Sequence, residues 1–329
     1  MLQTSEHTCD VVKIKLLPHP NADKLSLVMV GDFQCIVRTE DWKDGDLAVY
    51  VPPDNIVPET KEFEFLGGHR RIKARKLRGE WSAGLLVPAP EGAKIGDDCM
   101  ERLGIIHYEP KARGDFSTDG ENVKPPRSKE TSKAGLFTPV YDVLNFRKYS
   151  DLFEDGEEVI VTEKLHGANS RFTCADGQIY CGSRRFWKKE DSNNLWWKAL
   201  SQNKILETWL RNHQNYILYG EVLGQVQNLK YGAKNGEIFF AAFDILKGNK
   251  WLDFDEACEI GYILPWVPLV YRGPFDKYKI LAFAEEDSLW PCAQHCREGV
   301  VVKPVHERTD HRIGRVQLKV VGNRYLSKS

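Results

Sequence analysis

A segment poor in apolar residues, 108–133, divides this chain of 329 residues into two parts. The segment is rich in charged, Gly, Pro, Ser and Thr residues, and such a composition buries too little apolar surface to fold alone. It therefore predicts a linker or long loop between a first domain at 1–107 and a second domain at 134–329. A prior of roughly 150 residues per domain agrees with two domains.

The two parts differ in the spacing of their apolar residues. Short apolar runs separated by turn residues fill the first part, and this even spacing indicates a small β-barrel or sandwich. The second part mixes strand-like runs, a hairpin at 170–185, and one helical pattern at 192–213 capped by Ser192 or Asn193. The predicted fold class is therefore α+β, with a β-barrel followed by two antiparallel sheets and peripheral helices.

The charges of the chain nearly cancel, with 46 Lys and Arg against 47 Asp and Glu and a net charge of -1. This balance excludes a wholly basic surface of the histone type but allows a local basic face. No apolar run approaches the ~18 residues of a membrane helix, and the first residues lack the pattern of a signal peptide. We therefore expect no membrane partner, and a location in the cytoplasm or, in a eukaryote, the nucleus.

Lys164 follows an apolar run and precedes a glycine-containing turn in EKLHGAN, residues 163–169. A strand end would hold such a lysine on a rigid element, and the glycine leaves room for a close backbone approach. A free lysine, with a pKa of ~10.4, is almost wholly protonated at pH 7. To act as a nucleophile, a lysine needs a lower pKa, which neighbouring cations or a metal ion would supply.

Further charged residues lie at the ends of later strand-like runs. Taken singly, a lysine or glutamate at a strand end is most often a solvated residue, and it is the ordered set that favours a shared site. The set comprises Arg184, Arg185, Glu221, Glu298, Lys303 and Lys319. The chain has neither a GxxxxGK[ST] phosphate loop nor a GxGxxG turn, so any nucleotide site must be built from side chains.

Six motifs carry this set in a fixed order. They are EKLHGAN (163–169), GSRR (182–185), LYGEVLG (218–224), FFAAFDIL (239–246), EGVVVKP (298–304) and QLKVV (317–321). Their order resembles the covalent nucleotidyltransferase superfamily of ligases and capping enzymes. The form Lys-x-His-Gly-Ala-Asn is similar to the RNA ligase 2-like branch, whereas DNA ligases and capping enzymes usually carry Lys-x-Asp-Gly. The resemblance implies a nucleotidyltransferase domain in the second part.

This resemblance implies an ATP-dependent ligase that uses Mg²⁺ or Mn²⁺. Lys164 would attack the α-phosphate of ATP and form a lysyl-adenylate, with release of pyrophosphate. The AMP would then pass to an RNA 5′-phosphate, and an RNA 3′-OH would displace it and seal the strand. His166 and Asn169 would orient phosphates during these steps.

The resemblance also implies roles in holding the nucleotide and the metal ion. Glu298 would bind the divalent metal, and Glu221 would bind the ribose hydroxyls. Arg184 would contact the ribose or the 5′-phosphate, while Lys303 and Lys319 would contact the α-phosphate.

Two points in these motifs leave roles open. Phe240 or Phe243 would stack on adenine, and the residues alone do not decide between them. Relatives often carry two lysines two positions apart in the last motif, whereas here Gln317 precedes Lys319.

The first part contains motifs that resemble the OB-fold tRNA-binding domains appended to synthetases, HPNADKLSLVMV (19–30) and RKLRGEWSAGLLVP (75–88). Six of the nine residues at 70–78 are basic. Alternate residues of a strand share a face, and a basic face of this kind is typical of a groove that follows a phosphate backbone. The predicted RNA contacts are Arg71, Lys73 and Arg75, with Arg185 from the second part. An OB domain before the catalytic domain resembles the nick-sealing enzymes called RNA ligase family 5.

We therefore predict a monomeric, ATP-dependent RNA ligase of RNA repair. Its substrate would be RNA with 3′-OH and 5′-phosphate ends, in nicked duplex RNA or an RNA/DNA hybrid. One alternative is another nucleotidyl transfer, either GTP-dependent RNA capping or DNA nick sealing, although His166 in place of aspartate favours the RNA ligase. The other is an RNA-binding protein whose catalytic half has lost its activity.

Overall fold

A computed structural model describes residues 7–108, 120–127 and 135–328. The internal contacts divide the chain into two compact units. The first comprises Met1–Glu109, Asn145–Ser150 and Val321–Ser329, and the second comprises Pro110–Leu144 and Asp151–Val320. Most of the linker predicted at 108–133 lies outside the described residues, and the predicted three-part division stays a prediction.

The first unit is built from short antiparallel strands, as its apolar spacing predicts. Its strands are β1 (Val11–Lys13), β2 (Leu16–Pro18), β3 (Leu25–Val30), β4 (Phe33–Arg38), β5 (Leu47–Val51), β6 (Asn55–Ile56), β7 (Ala74–Leu77), β8 (Glu80–Ala83), β9 (Leu85–Pro88) and β10 (Ile106–His107). They pair in the orders β1-β5-β9, β2-β3-β4, β6-β10 and β7-β8. Val11, Val49 and Val87 lie side by side across the first of these sheets and form part of its buried core.

Short helices complete this unit. They are the 3₁₀ helices Thr39–Asp41 and Lys61–Leu66, with α1 (Phe146–Tyr149) and α6 (Asn323–Lys328) from later in the chain. Among the described residues, no helix of either unit is long and apolar enough to cross a membrane.

The second unit contains two main sheets, which confirms the predicted α+β class. Its strands are β11 (Asn122–Val123), β12 (Leu144–Asn145), β13 (Glu158–Lys164), β14 (Ala168–Ala175), β15 (Gln178–Ser183), β16 (Trp187–Lys188), β17 (Tyr216–Gly224), β18 (Ile238–Lys247), β19 (Lys250–Trp251), β20 (Leu269–Pro274), β21 (Gly299–Pro304), β22 (Thr309–Asp310), β23 (Gly314–Arg315) and β24 (Leu318–Val321). One sheet has the order β11-β16-β15-β14-β17-β18-β19 and the other the order β12-β24-β21-β13-β20.

Helices cover one face of the seven-stranded sheet. They are α2 (Leu195–Gln202), α3 (Lys204–Asn212) and α4 (Phe254–Ile260), whereas α5 (Lys277–Phe283) packs against β21 of the five-stranded sheet. The helical pattern predicted at 192–213 is therefore two helices, which meet at Asn203. The cap of α2 is Asn194, whose side chain accepts from the Trp196 N–H, and neither of the two predicted cap residues takes this place.

A β-bulge in β18 changes which residues face the helices. Tyr219 pairs with Asp244 but Gly220 pairs with Ala242, so Phe243 is the extra residue. Before the bulge Phe240 packs in the helix-covered core, and after it Ile245 occupies the same core. The bulge therefore turns Asp244 to the opposite face of the sheet.

Candidate active site

The site is centred on Lys164, the last residue of β13. Buried Val159, Ile160 and Val161 anchor this strand in the five-stranded sheet. In the antiparallel register Lys164 lies opposite Gly299, which places Glu298 beside it. The Nζ of Lys164 donates to the Oε1 of Glu298 at 2.6 Å. The sheet thus brings together a lysine and an acid that are far apart in sequence.

Glu298 is also close to His166, whose Nδ1 lies 3.4 Å from its Oε2. Burial alone raises the pKa of Glu298, but the charges of Lys164 and His166 outweigh burial and lower it to about 2. Glu298 is therefore a carboxylate at neutral pH. Its Oε2 is buried and takes no hydrogen bond from the described residues, which leaves a lone-pair site of the kind that a hard cation prefers.

Glu221 reaches the same turn from the seven-stranded sheet. Its Oε1 accepts from the Gly167 N–H at 2.9 Å. This approach needs glycine, because an added Cβ at Gly167 would lie 2.1 Å from the carbonyl oxygen of Val222. Burial is the main cause that raises the pKa of Glu221 to about 8, and Glu298 adds to it while Lys164 opposes it. The turn after Lys164 is thus fitted closely against β17.

Asn169 lies opposite Glu221 in the β14–β17 register. Its side-chain Oδ1 is buried and accepts no hydrogen bond from the part of the chain that the structure describes. A buried polar atom of this kind costs free energy unless it finds a partner. Asn169 therefore has an acceptor available for a ligand.

Lys319, on β24, completes a positively charged side of the site. Burial, and next the charge of Lys164, lower the pKa of Lys319 to about 8. Arg184 and Asp142 also act on this pKa, so these groups lie within electrostatic range of one another. Arg184 approaches Asp142 to 3.1 Å, and the Gln317 amide donates to the backbone carbonyl of Asp142 at 2.8 Å. The motif that departs from the family pattern therefore contributes one cation and one neutral side chain.

Lys303 pairs with acidic side chains away from Lys164. Its Nζ donates to Asp244 at 2.5 Å and lies 3.5 Å from Glu307. In the β13–β21 register it stands opposite Ile160, four residues before Lys164, which is about 13 Å along the strand. The structure therefore does not support the expected contact of Lys303 with the α-phosphate.

The two candidate phenylalanines differ in their surroundings. Phe240 is only 1% exposed and packs edge-on against Phe172, with ring centroids 5.4 Å apart. It is a core residue with no face open to adenine, so the structure removes it as a stacking candidate. Phe243, the bulge residue, is half-buried and lies 4.5 Å from the Tyr141 ring, and it stays the candidate.

Only some of the side chains predicted to form the basic face of the first unit are exposed to solvent. Ile72 and Ala74 are buried, whereas the residues around them are half-buried or exposed. Arg71 donates to Asp54 at 2.6 Å and lies 3.7 Å above the Tyr108 ring, so its charge is already paired. Lys73 is half-buried, Arg75 is exposed on β7, and Arg185 is exposed after β15.

Several residues of the site were missed because they look like ordinary core or strand-end residues. Glu163 and Arg297, each 1% exposed, immediately precede Lys164 and Glu298. Glu163 accepts from the Ser288 hydroxyl at 2.5 Å, and Arg297 donates to the Asp287 carbonyl at 2.8 Å. Both therefore bind the loop that contains Asp287 and Ser288, next to the pair of Lys164 and Glu298. Their position beside Lys164 and Glu298 was the only signal in the sequence.

Two family models match the chain. One, described as RNA ligase, matches residues 157–321, and one, described as an OB-fold domain, matches residues 8–89. The second match confirms the OB fold predicted for the first part. A curated protein of Autographa californica nuclear polyhedrosis virus, Protein Early 65 kDa, is 30% identical over 118 residues. That match spans 32% of this chain and 21% of the viral protein.

Solved structures of Naegleria gruberi RNA ligase share the fold over nearly the whole chain. The structure with PPi is 25% identical with a TM-score of 0.76, and covers 98% of both chains. Structures of mutants with ATP and Mn, and with AMP and Mn, are 24% identical. Their TM-scores are 0.77 and 0.78, and each match covers 98% of this chain and 99% of the other.

Proposed function

The chain belongs to the RNA ligase family, and we propose that it joins an RNA 3′-OH end to a 5′-phosphate end at the expense of ATP. The observation that carries the proposal is the cluster of Lys164, His166, Glu221 and Glu298 around one turn. The ATP and AMP complexes of the Naegleria gruberi enzyme, which shares the fold, support the choice of nucleotide.

In the first step we propose that the Nζ of Lys164, once deprotonated, attacks the α-phosphorus of ATP. A P–N bond forms, the bond to the bridging oxygen breaks, and pyrophosphate leaves with its electron pair. In the second step an oxygen of the RNA 5′-phosphate attacks the phosphorus of AMP, so that a P–O bond forms, the P–N bond breaks and the Lys164 amine takes up a proton. In the third step the RNA 3′ oxygen, having lost its proton to solvent, attacks the 5′ phosphorus, so that the phosphodiester forms and AMP leaves with the electron pair of the broken P–O bond. Alignment of the reacting atoms and neutralisation of phosphate charge dominate such transfers.

The side chains around Lys164 suit these steps. Lys319 and Arg184 offer positive charge to the phosphates, and Glu221 offers a carboxyl to the ribose hydroxyls. Asn169, with its buried free acceptor, and His166 would orient the phosphate groups. We assign adenine stacking to Phe243 alone.

The residues present fit a divalent cation. Glu298 is ionised, and its buried Oε2, 3.4 Å from the His166 Nδ1, accepts no hydrogen bond from the described residues, while among those residues no three His, Cys, Asp or Glu side chains form a metal-binding group. Mg²⁺ commonly binds through one or two carboxylates and otherwise keeps waters and substrate phosphates. When bound, it would supply charge neutralisation at the phosphate and compete with Lys164 for Glu298. Manganese in the Naegleria gruberi complexes supports the choice of a divalent cation.

The proposal for the RNA substrate rests on fewer observations than the proposal for the nucleotide. We propose nicked duplex RNA or an RNA/DNA hybrid in RNA repair, with Arg75 and Arg185 as the exposed contacts to the phosphate backbone. Lys73 would contribute from its half-buried position, and Arg71 less, since Asp54 already pairs with it. The monomeric state and the cytoplasmic or nuclear location stay predictions.

The test is transfer of label from α-³²P-ATP to the protein, followed by sealing of a nicked RNA duplex. The wild type and Lys250→Ala, which replaces an exposed lysine on β19, should both become labelled, whereas Lys164→Ala should not. Labelling by GTP alone would indicate RNA capping instead. A full RNA-joining rate in Lys164→Ala would refute the covalent mechanism.

A further inference from the structure

Tyr231 adopts a backbone conformation that bulky residues rarely take. Its φ is 54° in the left-handed region, and its side chain is 1% exposed. Such a conformation costs about 1–3 kcal/mol and persists only where the surroundings impose it. The following Gly232 is also left-handed, and an added Cβ there would lie 2.8 Å from the Cβ of Cys292. The strained segment is therefore pressed against a neighbouring loop.

The ring of Tyr231 is held from two sides. It meets the His295 ring edge-on, with centroids 4.8 Å apart, and the Trp290 ring at 6.3 Å. It also belongs to the apolar cluster that contains Leu165, the residue after Lys164, and Leu223 of β17. The left-handed turn thus directs a rigid, fully packed aromatic side chain to the underside of the Lys164 turn.

The hydroxyl of Tyr231 accepts a hydrogen bond from the His166 backbone N–H at 2.6 Å. The next N–H of the turn, that of Gly167, is taken by Glu221 at 2.9 Å. Two successive N–H groups of the turn are therefore bound by side chains that come from β17 and the loop after it. Because these bonds fix the backbone at His166, they also fix where its imidazole meets Glu298.

We propose that Tyr231 is a positioning residue for nucleotide transfer, which acts through His166. Its hydroxyl sets the backbone of the turn so that His166 and Lys164 both reach Glu298. The strain at Tyr231 is the cost of aiming this hydroxyl at the turn. The inference rests on the proposed function, because it concerns the same lysine and the same first step.

The experiment compares single-turnover self-adenylylation in the wild type and in Tyr231→Phe, over a range of ATP concentrations. Phenylalanine keeps the packed ring and removes only the hydroxyl. We expect the maximal rate to fall about 10- to 100-fold, as misplacement of reacting groups by about 1 Å does, with the half-saturating ATP concentration changed less than about 3-fold. The matched control is Tyr50→Phe, a buried tyrosine of the first unit whose hydroxyl donates to the Ala83 carbonyl.

A double-mutant cycle with His166→Ala shows whether Tyr231 acts through His166. We expect Tyr231→Phe to add little in the His166→Ala background, because coupled residues are not additive. If the effects multiply, the proposal is overturned. It is equally overturned if folded Tyr231→Phe keeps the wild-type rate, or if Tyr231→Phe loses far more stability than Tyr50→Phe in urea. A wild type that forms no adenylate would instead refute the proposed function.

Discussion

Glu221 has a raised pKa in the folded protein, so its ionised form costs free energy of folding, and replacing this acid should stabilise the protein. Its pKa rises from 4.5 to about 8, chiefly through burial. Below pH 4.5 the carboxyl is protonated in both the folded and the unfolded chain, so it contributes nothing. Between pH 4.5 and 8 the unfolded chain loses the proton more readily, so stability falls as pH rises. Above pH 8 the loss is constant.

The size of this effect follows from the gap between the two pKa values. At about 1.36 kcal/mol per pH unit, the gap gives a ceiling of about 5 kcal/mol above pH 8 and ~3 kcal/mol at pH 7. Glu221 is half-buried rather than enclosed, and water reduces the penalty. We therefore expect Glu221→Gln to raise the free energy of unfolding by about 1–3 kcal/mol at pH 7.5. The amide oxygen can still accept from the Gly167 N–H.

The assay is urea denaturation at pH 5, 6, 7 and 8, without nucleotide or metal ion. The difference between Glu221→Gln and wild type should be small at pH 5 and grow steadily to pH 8. Glu190→Gln, at an exposed glutamate after β16, is the control and should show no such trend. A variant no more stable than wild type at pH 7.5, or a difference that does not vary with pH, would refute the reasoning. Adenylylation should fall in the same variant.

Three further predictions concern backbone, core and surface. Gly167→Ala should abolish label transfer from ATP, because its Cβ would overlap the Val222 carbonyl; a rate within about 2-fold of wild type would contradict this. Asp244→Ala should cost about 3–5 kcal/mol in urea denaturation, because it removes the nearest carboxylate from buried Lys303 and from Arg315 and leaves Lys303 only Glu307 at 3.5 Å, whereas the exposed Asp255→Ala should cost under about 1 kcal/mol. Arg75→Ala should reduce the slope of log binding constant against log salt concentration for duplex RNA by an amount equal to about one phosphate contact. Arg71 is already paired with Asp54, so an equal reduction in Arg71→Ala would count against this prediction.

The reactive pair could be predicted from the sequence because it depends on strand ends. An apolar run ending in Lys164 and another beginning after Glu298 need only pair antiparallel for the two side chains to meet. The glycine at position 167 predicts room for a close backbone approach, and the structure puts Glu221 and the Val222 carbonyl there. These features depend on residue type and local alternation, which a sequence carries directly.

The positions of the Lys303 and Phe240 side chains could not be predicted in this way. Their motifs match the family pattern, but a motif does not state which face of a sheet a side chain takes or how far along a strand it lies. Phe240, before the bulge, faces the helices, while the bulge at Phe243 reverses the alternation and turns Asp244 to the opposite face, toward Lys303. One extra residue in one strand has this effect because side chains alternate with a period of two.

The spacing of apolar residues in the sequence thus predicted the α+β class and a β-rich first part. The resemblance of its motifs to known families implied the OB fold, the RNA ligase family and the lysine on which a covalent mechanism would depend. Only the tertiary structure decided which charges remain available. Arg71 is paired with Asp54, and Lys303 is paired with Asp244. The side chains of Tyr231 and Glu221 accept hydrogen bonds from the turn after Lys164. The physical reason is that pairing, burial and pKa depend on distances between residues far apart in the chain, and these distances exist only after the sheets have formed.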